Sequence, residues 1–577
     1  MSDAKTGAGS DLPGTPQAAR PAASKAASAK KDAAQGEGLR QAMSWLHTWS
    51  GLIFGWVLFA MFLTGTLAFF RPEITRWMQP EIEVQKVPQA QALAVARKYL
   101  ETHAADSTRW FISLPSDREP AIHASYQRAK PPPGERAFKR VTIDPVSGDE
   151  IKARETRGGD FFYRFHFELE MSFPWGRWLA SIAGMFMLVA IISGVITHKK
   201  IFTDFFTFRP KKGGQRAWMD GHNALSVLGL PFHLMITFSG LILFVYMLMP
   251  ASVLSAYKSD REYFDEMFPA FAVPKPTKQP ATLVDLNTVV DRAEAGWEGG
   301  RAGRVVVNHP FDAGSTVTVT RAVSERVSYG RMAPTNSYNG VTGELISAAA
   351  APSAAAVTAG TIVGLHLGLF AEPLLRWFYF LVSLAGTAMV GTGLVLWIAK
   401  RRQKNVKGQR EAFSLRLVDG LNAGTIAGIG VAIAAFFWAN RLLDPTVAQH
   451  ARLEVRVFFW AWGLCFVYAF LRQKTKWRDL SALGAILFAL VPVVNAFTTQ
   501  RHLGVSLAKG DWVMAGFDLT CLATALLLGW IAYKSGRGRP QPAARGAKAA
   551  PQAGAKPTPK PAPQSAPIDG NPSAATR

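Results

Sequence analysis

Cysteine is nearly missing from this chain: two in 577 residues, Cys465 and Cys521, both inside apolar runs. That excludes a disulfide framework, CxxC-type metal spacing and a thiolate-held iron–sulfur cluster. No HExxH occurs, and no Ser-His-Asp set has a recognisable context, so hydrolase chemistry has no support. The run GTIAGIG at Gly424–Gly430 lies in an apolar helix with no strand before it, which makes it packing and not a dinucleotide loop. The chain therefore has no nicotinamide or flavin fold of its own, and electrons for any redox role must come from another partner. Acids are also scarce, 41 against 64 Lys and Arg, for a formal charge of +23. The basic residues cluster beside apolar runs and in the tails, with no recognition motif. They fit anionic lipid headgroups and a membrane-topology signal, not nucleic acid.

What the chain has in quantity is long hydrophobic runs, and hydrophobic residues make up 49% of it. Leu52–Phe70, Trp178–Ile196 and Ala224–Leu248 are each long enough to cross a bilayer core of about 30 Å. A fourth span, about Leu374–Ile398, begins just after His366. Four more follow near 419–438, 457–471, 480–498 and 513–533. Basic connectors (Lys199–Arg216, Lys400–Lys407, Arg472–Arg478, Lys534–Arg539) all fall on one side if both termini are cytoplasmic. No apolar region precedes Leu46 and no small-residue cleavage site follows it, so the first run reads as an anchor and not a signal peptide.

The expected class is mainly α: a polytopic bundle of about eight transmembrane helices with two small α+β modules. Residues 1–40 read as a disordered cytoplasmic tail, 44–72 as the first span and 73–165 as the first module. Residues 166–249 hold two spans and their basic loop, 250–365 the second module, 366–400 the fourth span and 413–533 the last four. Residues 534–577 are a second disordered tail. VTIDPVSGDEI (Val141–Ile151) aligns with NSYNGVTGELI (Asn336–Ile346), and both modules order a helix, strands and a Gly-acid turn, which suggests a duplicated unit. Arg109, Trp110 and Tyr126 are candidates to hold an anionic ligand if exposed, with a core-facing strand position the competing reading.

Eleven histidines are present, and six of them (His47, His166, His198, His222, His233, His366) lie in or beside the first four spans. An ionisable residue in a span is costly and points to function, whereas a half-wet ring at the interface is the ordinary alternative. His233 fits that alternative worst, since it lies in the apolar part of the third span and is the one clear buried polar group there. His222 and His233, 11 residues apart, share a face of a straight helix about 16 Å apart, unless Pro231 kinks it. His166 and His198 belong on opposite sides of the membrane, His366 with His166, and His47 and His222 with His198. A bis-imidazole iron porphyrin needs two neutral rings facing each other across an apolar slot. Zinc or copper needs three or four ligands converging. Gly184, Gly194, Gly229, Gly240, Gly386, Gly391 and Gly393 permit close helix approach or room for a flat ring, and packing is the ordinary role for most.

LHTWSGLIFGWVLFAMFLTGTL, FHFEL, ISGVITHKKIFTDFFTFRP, DGHNALSVLGLPFHLMITFSGL and LHLGLF…TGLVLW together resemble the PepSY-associated transmembrane proteins of the bacterial inner membrane, over roughly residues 44–400. Better-understood members are b-haem ferric-siderophore reductases such as the ferrioxamine reductase. The resemblance implies periplasmic PepSY modules and two or three haems b. It also implies electrons passed from a quinol or a cytoplasmic reductase to a ferric siderophore in the periplasm, whose Fe(III) becomes Fe(II) and is released. The recurrent histidines map onto His47, His166, His222 and His366, with His198 and His233 matching a subgroup. The implied ligation pairs His166 with His366 on the outer side and draws the inner ligands from His47, His198 and His222. His233 is a partner there or a ligand of a further haem. No acid–base catalytic residue is implied. The competing expectations are a non-enzymatic regulator that binds a peptidase or envelope partner, and an iron-chelate transporter with broken helices and buried charges.

Overall fold

The computed structural model describes residues 22–537 apart from 132, 134–135, 199–213, 260, 264–274, 331–332, 350 and 404–410. The rest of the expected tails and most of the basic loop after His198 lie outside the described residues. Helix α1 (Ala22–Ala68) begins inside the expected N-terminal tail, where alanine and lysine favour helix. Among the described residues seven helices are long and apolar enough to cross a membrane, or up to eight if a bent pair counts as one span. This is a mainly α, polytopic membrane architecture.

The bent pair is α6 (Gly214–Leu228) and α7 (Leu230–Leu243), which meet at 69°. Gly229 sits at the break and Pro231 in the first turn of α7. Proline has no N–H for the preceding turn and its ring crowds the carbonyl four residues back, so the ladder stops there. His222 and His233 are therefore on differently directed helices, not on one face of a straight one. His366 is likewise set apart from the fourth span. It lies in the last turn of a separate helix, α9 (Ala354–Leu367), ended by Gly368 at φ +61. The span itself is α10 (Pro373–Arg402). Short α2 (Arg71–Met78) and α4 (Gly158–Glu168) pack against one another, and α4 also lies against α1 and α5 (Trp175–Thr197).

The two polar modules join. Strands β1 (Arg109–Ser113), β2 (Ile122–Gln127), β3 (Phe138–Ile143), β4 (Ala302–Asn308), β5 (Thr316–Arg321), β6 (Thr335–Asn339) and β7 (Leu345–Ser347) form one antiparallel sheet in the order β3-β2-β1-β4-β5-β6-β7. The junction is β1 against β4, with Phe111 opposite Val306 and Ser113 opposite Arg304. Alternate side chains (Trp110, Ile112, Ala124, Val305, Val307, Val317, Val319) face α3 (Gln89–Ala104) and α8 (Leu286–Gly296) in one buried core. Each large aliphatic chain buried there is worth about 1.5–3 kcal/mol. Tyr99 of α3 donates to Glu150 (2.7 Å), and burial together with that carboxylate pushes its hydroxyl pKa up. The turns after β3 and β6 are built alike. Asp144 Oδ1 accepts the Val146 and Ser147 N–H groups, Asn339 Oδ1 those of Val341 and Thr342, and Gly148 and Gly343 both have positive φ. The repeat seen in sequence is thus a structural repeat, meeting itself edge to edge.

Helices α11 (Phe413–Ile426), α12 (Gly428–Leu442), α13 (His450–Leu471), α14 (Lys476–Thr498) and α15 (Trp512–Gly536) stand behind α2 and α4. Phe161, Phe162 and Phe165 of α4 pack against Phe436, Phe437 and Phe458. Contrary to the sequence expectation, buried charge is plentiful here: Arg441, Glu454 and Asp518 are at most 4% exposed. Arg441 donates to Asn495 Oδ1 (2.9 Å), Asn440 Oδ1 (2.5 Å) and the Trp77 carbonyl, and Asp518 accepts from Trp77 Nε1 (2.9 Å). Several of these residues fall at or beyond the edges of apolar runs, where a one-dimensional reading assigns charge to the interface.

Candidate functional site: two facing histidine pairs

Of the six histidines, the fold brings four together in pairs. His166, in the last turn of α4, faces His366, in the last turn of α9, with ring centroids 6.0 Å apart. His47 of α1 faces His222 of α6 at 6.2 Å. His47 and Met61, which touches His166, both lie on α1, so the pairs stand about 20 Å apart along that helix. The first pair lies on the side that carries the sheet, the second on the far side.

Each of these rings has its Nδ1 engaged. His166 Nδ1 donates to the Met61 carbonyl (2.7 Å), His47 to Ala190 (2.8 Å) and His222 to Met389 (2.9 Å). His366 Nδ1 donates to Ser239 Oγ (3.0 Å), whose own hydrogen goes to the Met235 carbonyl (2.6 Å). These bonds select the tautomer whose Nε2 carries a lone pair, as imidazoles that ligate a metal require.

The rings also rest on glycines of neighbouring helices. A Cβ at Gly65 would lie 2.6 Å from His166, one at Gly240 2.8 Å from His366, and those at Gly194 and Gly393 3.1 Å from His47 and His222. Of the glycines marked in the sequence, Gly194, Gly240, Gly393, Gly229 and Gly386 adjoin imidazoles, while Gly184 meets Leu241 and Gly391 meets Phe59. Gly65, Ser239 and the carbonyls of Met61, Ala190 and Met389 escape a sequence reading. Each acts across helices, with no local spacing to mark it.

The other two histidines are held by different partners. His198 Nε2 accepts from Asn223 (2.9 Å), beside the far-side pair. His233 is 1% exposed, its Nε2 donates to the Val382 carbonyl (3.2 Å), and its Nδ1 has no partner among the described residues. Among the described residues no group of three or more His, Cys, Asp or Glu converges on a point, so zinc- or copper-type ligation is not built here. A metal held on axis between two imidazole nitrogens at about 2 Å each sets the ring centroids about 6 Å apart, so both pairs fit that geometry.

The sheet-side pair forms the floor of a cavity of about 2420 Å³. Met61, Phe62, Gly184, Met187 and Gly240 line its lower part, and the uncovered face of the sheet is its roof. Trp110 and Tyr126 are core residues, 0% and 3% exposed, and Arg109 is tied to Asn308 (2.9 Å). None of the three is a ligand surface.

Paired, anchored imidazoles thus lie at two depths of a polytopic helix bundle, the sheet-side pair under a sheet-roofed cavity. Residues 44–400 match the family model described as the PepSY-associated TM region, and the chain belongs to that family. It is also 25% identical over 399 residues to an uncharacterized protein of Pseudomonas aeruginosa, covering 67% of this chain and 96% of that one.

Proposed function

We propose that this protein is a b-haem oxidoreductase of the bacterial inner membrane that carries single electrons across the bilayer to a ferric siderophore. The observation that carries this reading is the two histidine pairs, 6.0 and 6.2 Å between centroids, with every Nδ1 anchored and every ring seated on a glycine. A haem b at each pair would supply a one-electron Fe(III)/Fe(II) couple. His166 with His366 and His47 with His222 would hold the two groups. The protein's part is to hold these rings, exclude water from the slots and position the chelate. The far side faces the cytoplasm and the donor, a quinol or a soluble reductase, and the sheet lies in the periplasm. The resemblance read from the sequence implies the same direction of flow.

Two haems per chain is the count this geometry favours, since the described histidine ring pairs are His166 with His366 and His47 with His222. His233→Leu is expected to leave the haem content at two, measured by pyridine haemochrome. Gly65→Val should selectively disturb the sheet-side site. Its side chain would displace the His166 ring, so half of the haem signal is lost or altered while the far-side signal stays. The transporter reading gains a bent helix and buried charges from the fold. However, Arg441, Glu454 and Asp518 do not line the cavity, so they offer a chelate no path.

The deciding experiment is an optical spectrum of detergent-purified protein, before and after dithionite. A sharp reduced α-band of b-type haem, at two per chain, is expected. A featureless spectrum from folded, haem-supplied protein would sink the oxidoreductase reading, and the regulator would then lead.

A further inference from the structure

The face of the sheet turned away from its core has an ordered chemistry of its own. Arg140 on β3 stands over the Phe138 ring (5.6 Å from guanidinium carbon to centroid), and Arg304 on β4 stands over Phe111 (5.5 Å). The two phenylalanines adjoin at 5.9 Å. The result is an aromatic platform with a guanidinium at each end, built from β1, β3 and β4. Hydroxyls of Ser113, Ser125, Thr142 and Thr320 surround it and, with Arg140, Arg304 and Phe138, line the cavity above His166 and His366.

Among the described residues neither Arg140 nor Arg304 has an ion-pair or hydrogen-bond partner; each has only its ring. Six other arginines of the cavity are taken: Arg118 and Arg376 by Glu73, Arg71 by Asp160, Arg157 by Glu170, Arg177 by Glu168 and Arg321 by Glu325. Among the described residues nine arginines and five acidic side chains line the cavity. Arginines outnumber acids in the lining, and the guanidiniums of Arg140, Arg304 and Arg301 have no acidic partner among the described residues. A guanidinium resting on an aromatic face keeps its N–H edge open for two oxygens at once, and is only weakly hydrated.

From this surface we infer the charge class of the chelate: a polyanionic, aromatic-ringed complex of the catecholate type. Its oxygens bond to Arg140 and Arg304, and a ring of the chelate lies against Phe138. A neutral tris-hydroxamate complex offers neither the charge nor the ring. The inference deepens the ferric-chelate reading and rests on the same cavity, but it concerns binding alone.

The test uses full-length protein in detergent and a gallium(III) tris-catecholate complex. Gallium matches ferric iron in charge and size and is not reduced under these conditions, so binding is read without electron transfer. Wild type should bind this trianion at least ten-fold more tightly than neutral gallium tris(acetohydroxamate). The Arg140→Gln/Arg304→Gln double variant should lose about 100-fold for the trianion, ten-fold for each charge-assisted pair, and little for the hydroxamate. Phe138→Leu, which keeps both charges, should lose several-fold. Equal affinity in wild type and the double variant overturns the inference, as does preference for the hydroxamate. Displacement of the chelate by vesicles of anionic phospholipid at matched charge overturns it too, since the site would then be one for lipid headgroups. Haem present without arginine-dependent binding defeats this site alone; arginine-dependent binding in protein that never takes up haem defeats the redox reading alone.

Discussion

His366→Ala is expected to lower the haem content of the purified protein from two per chain to one and to reduce turnover of a ferric chelate at least 100-fold. His366 supplies one of the two facing nitrogens of the sheet-side pair, and no other described imidazole is placed to substitute. His233 is the nearest in sequence terms, but its Nε2 is bonded to the Val382 carbonyl. His166→Ala should match it, because the pair is symmetric in function. Substitutions in the far-side pair separate entry from exit. His47→Ala or His222→Ala should also leave one haem and block reduction driven by a quinol. Dithionite-reduced His47→Ala protein should still give up an electron to added chelate through the intact sheet-side site. The measurements are haemochrome stoichiometry and the rate at which chelate reoxidises reduced protein. Full chelate reduction in His366→Ala would remove the sheet-side pair from the electron path.

Arg441→Met should be the most damaging substitution outside the histidine pairs. The guanidinium is 4% exposed and is bonded to Asn440, Asn495 and the Trp77 carbonyl, with its charge carbon 3.8 Å from the Trp77 ring centroid. Removing it deprives the buried Trp77 carbonyl and the Asn440 and Asn495 oxygens of a donor, and takes a cation from beside Asp518, which is fully buried and bonded to Trp77 and Asn495. Losing one partner of a buried charge cluster costs about 3–5 kcal/mol, because the remaining charge keeps its desolvation penalty without compensation. The expected result is a clear fall in melting temperature in detergent. The double variant Arg441→Met/Asp518→Asn should recover part of the loss, because the stranded charge is gone. The effect should reach the sheet-side spectrum as well, since Trp77 lies on α2, which packs against the helix carrying His166. A single variant as stable as wild type would show that the cluster is not electrostatically coupled.

Particular residues show why some of this was legible in one dimension. The spans announce themselves by length and hydropathy, because a bilayer core accepts only continuous apolar helix. The Pro231 kink is legible because proline removes an N–H at a known place. The turns at Asp144 and Asn339 are legible because a short polar side chain followed by glycine has few backbone options. The family motif around His47, His166, His222 and His366 marks the four histidines that the fold pairs. His198 and His233 look the same in sequence, yet the structure bonds His198 to Asn223 and His233 to the Val382 carbonyl.

The sequence alone determined the mainly α membrane class, the polar modules and their repeat, the bend at Pro231 and the set of six histidines, because those follow from local chemistry and periodicity. Only the tertiary structure decided four things: which of the inner imidazoles face each other, which glycines make room for the rings, that β1 and β4 weld two modules into one sheet, and that Arg441 and Asp518 are buried. Each is a contact between segments distant in the chain, fixed by packing and hydrogen-bond satisfaction across helices and strands.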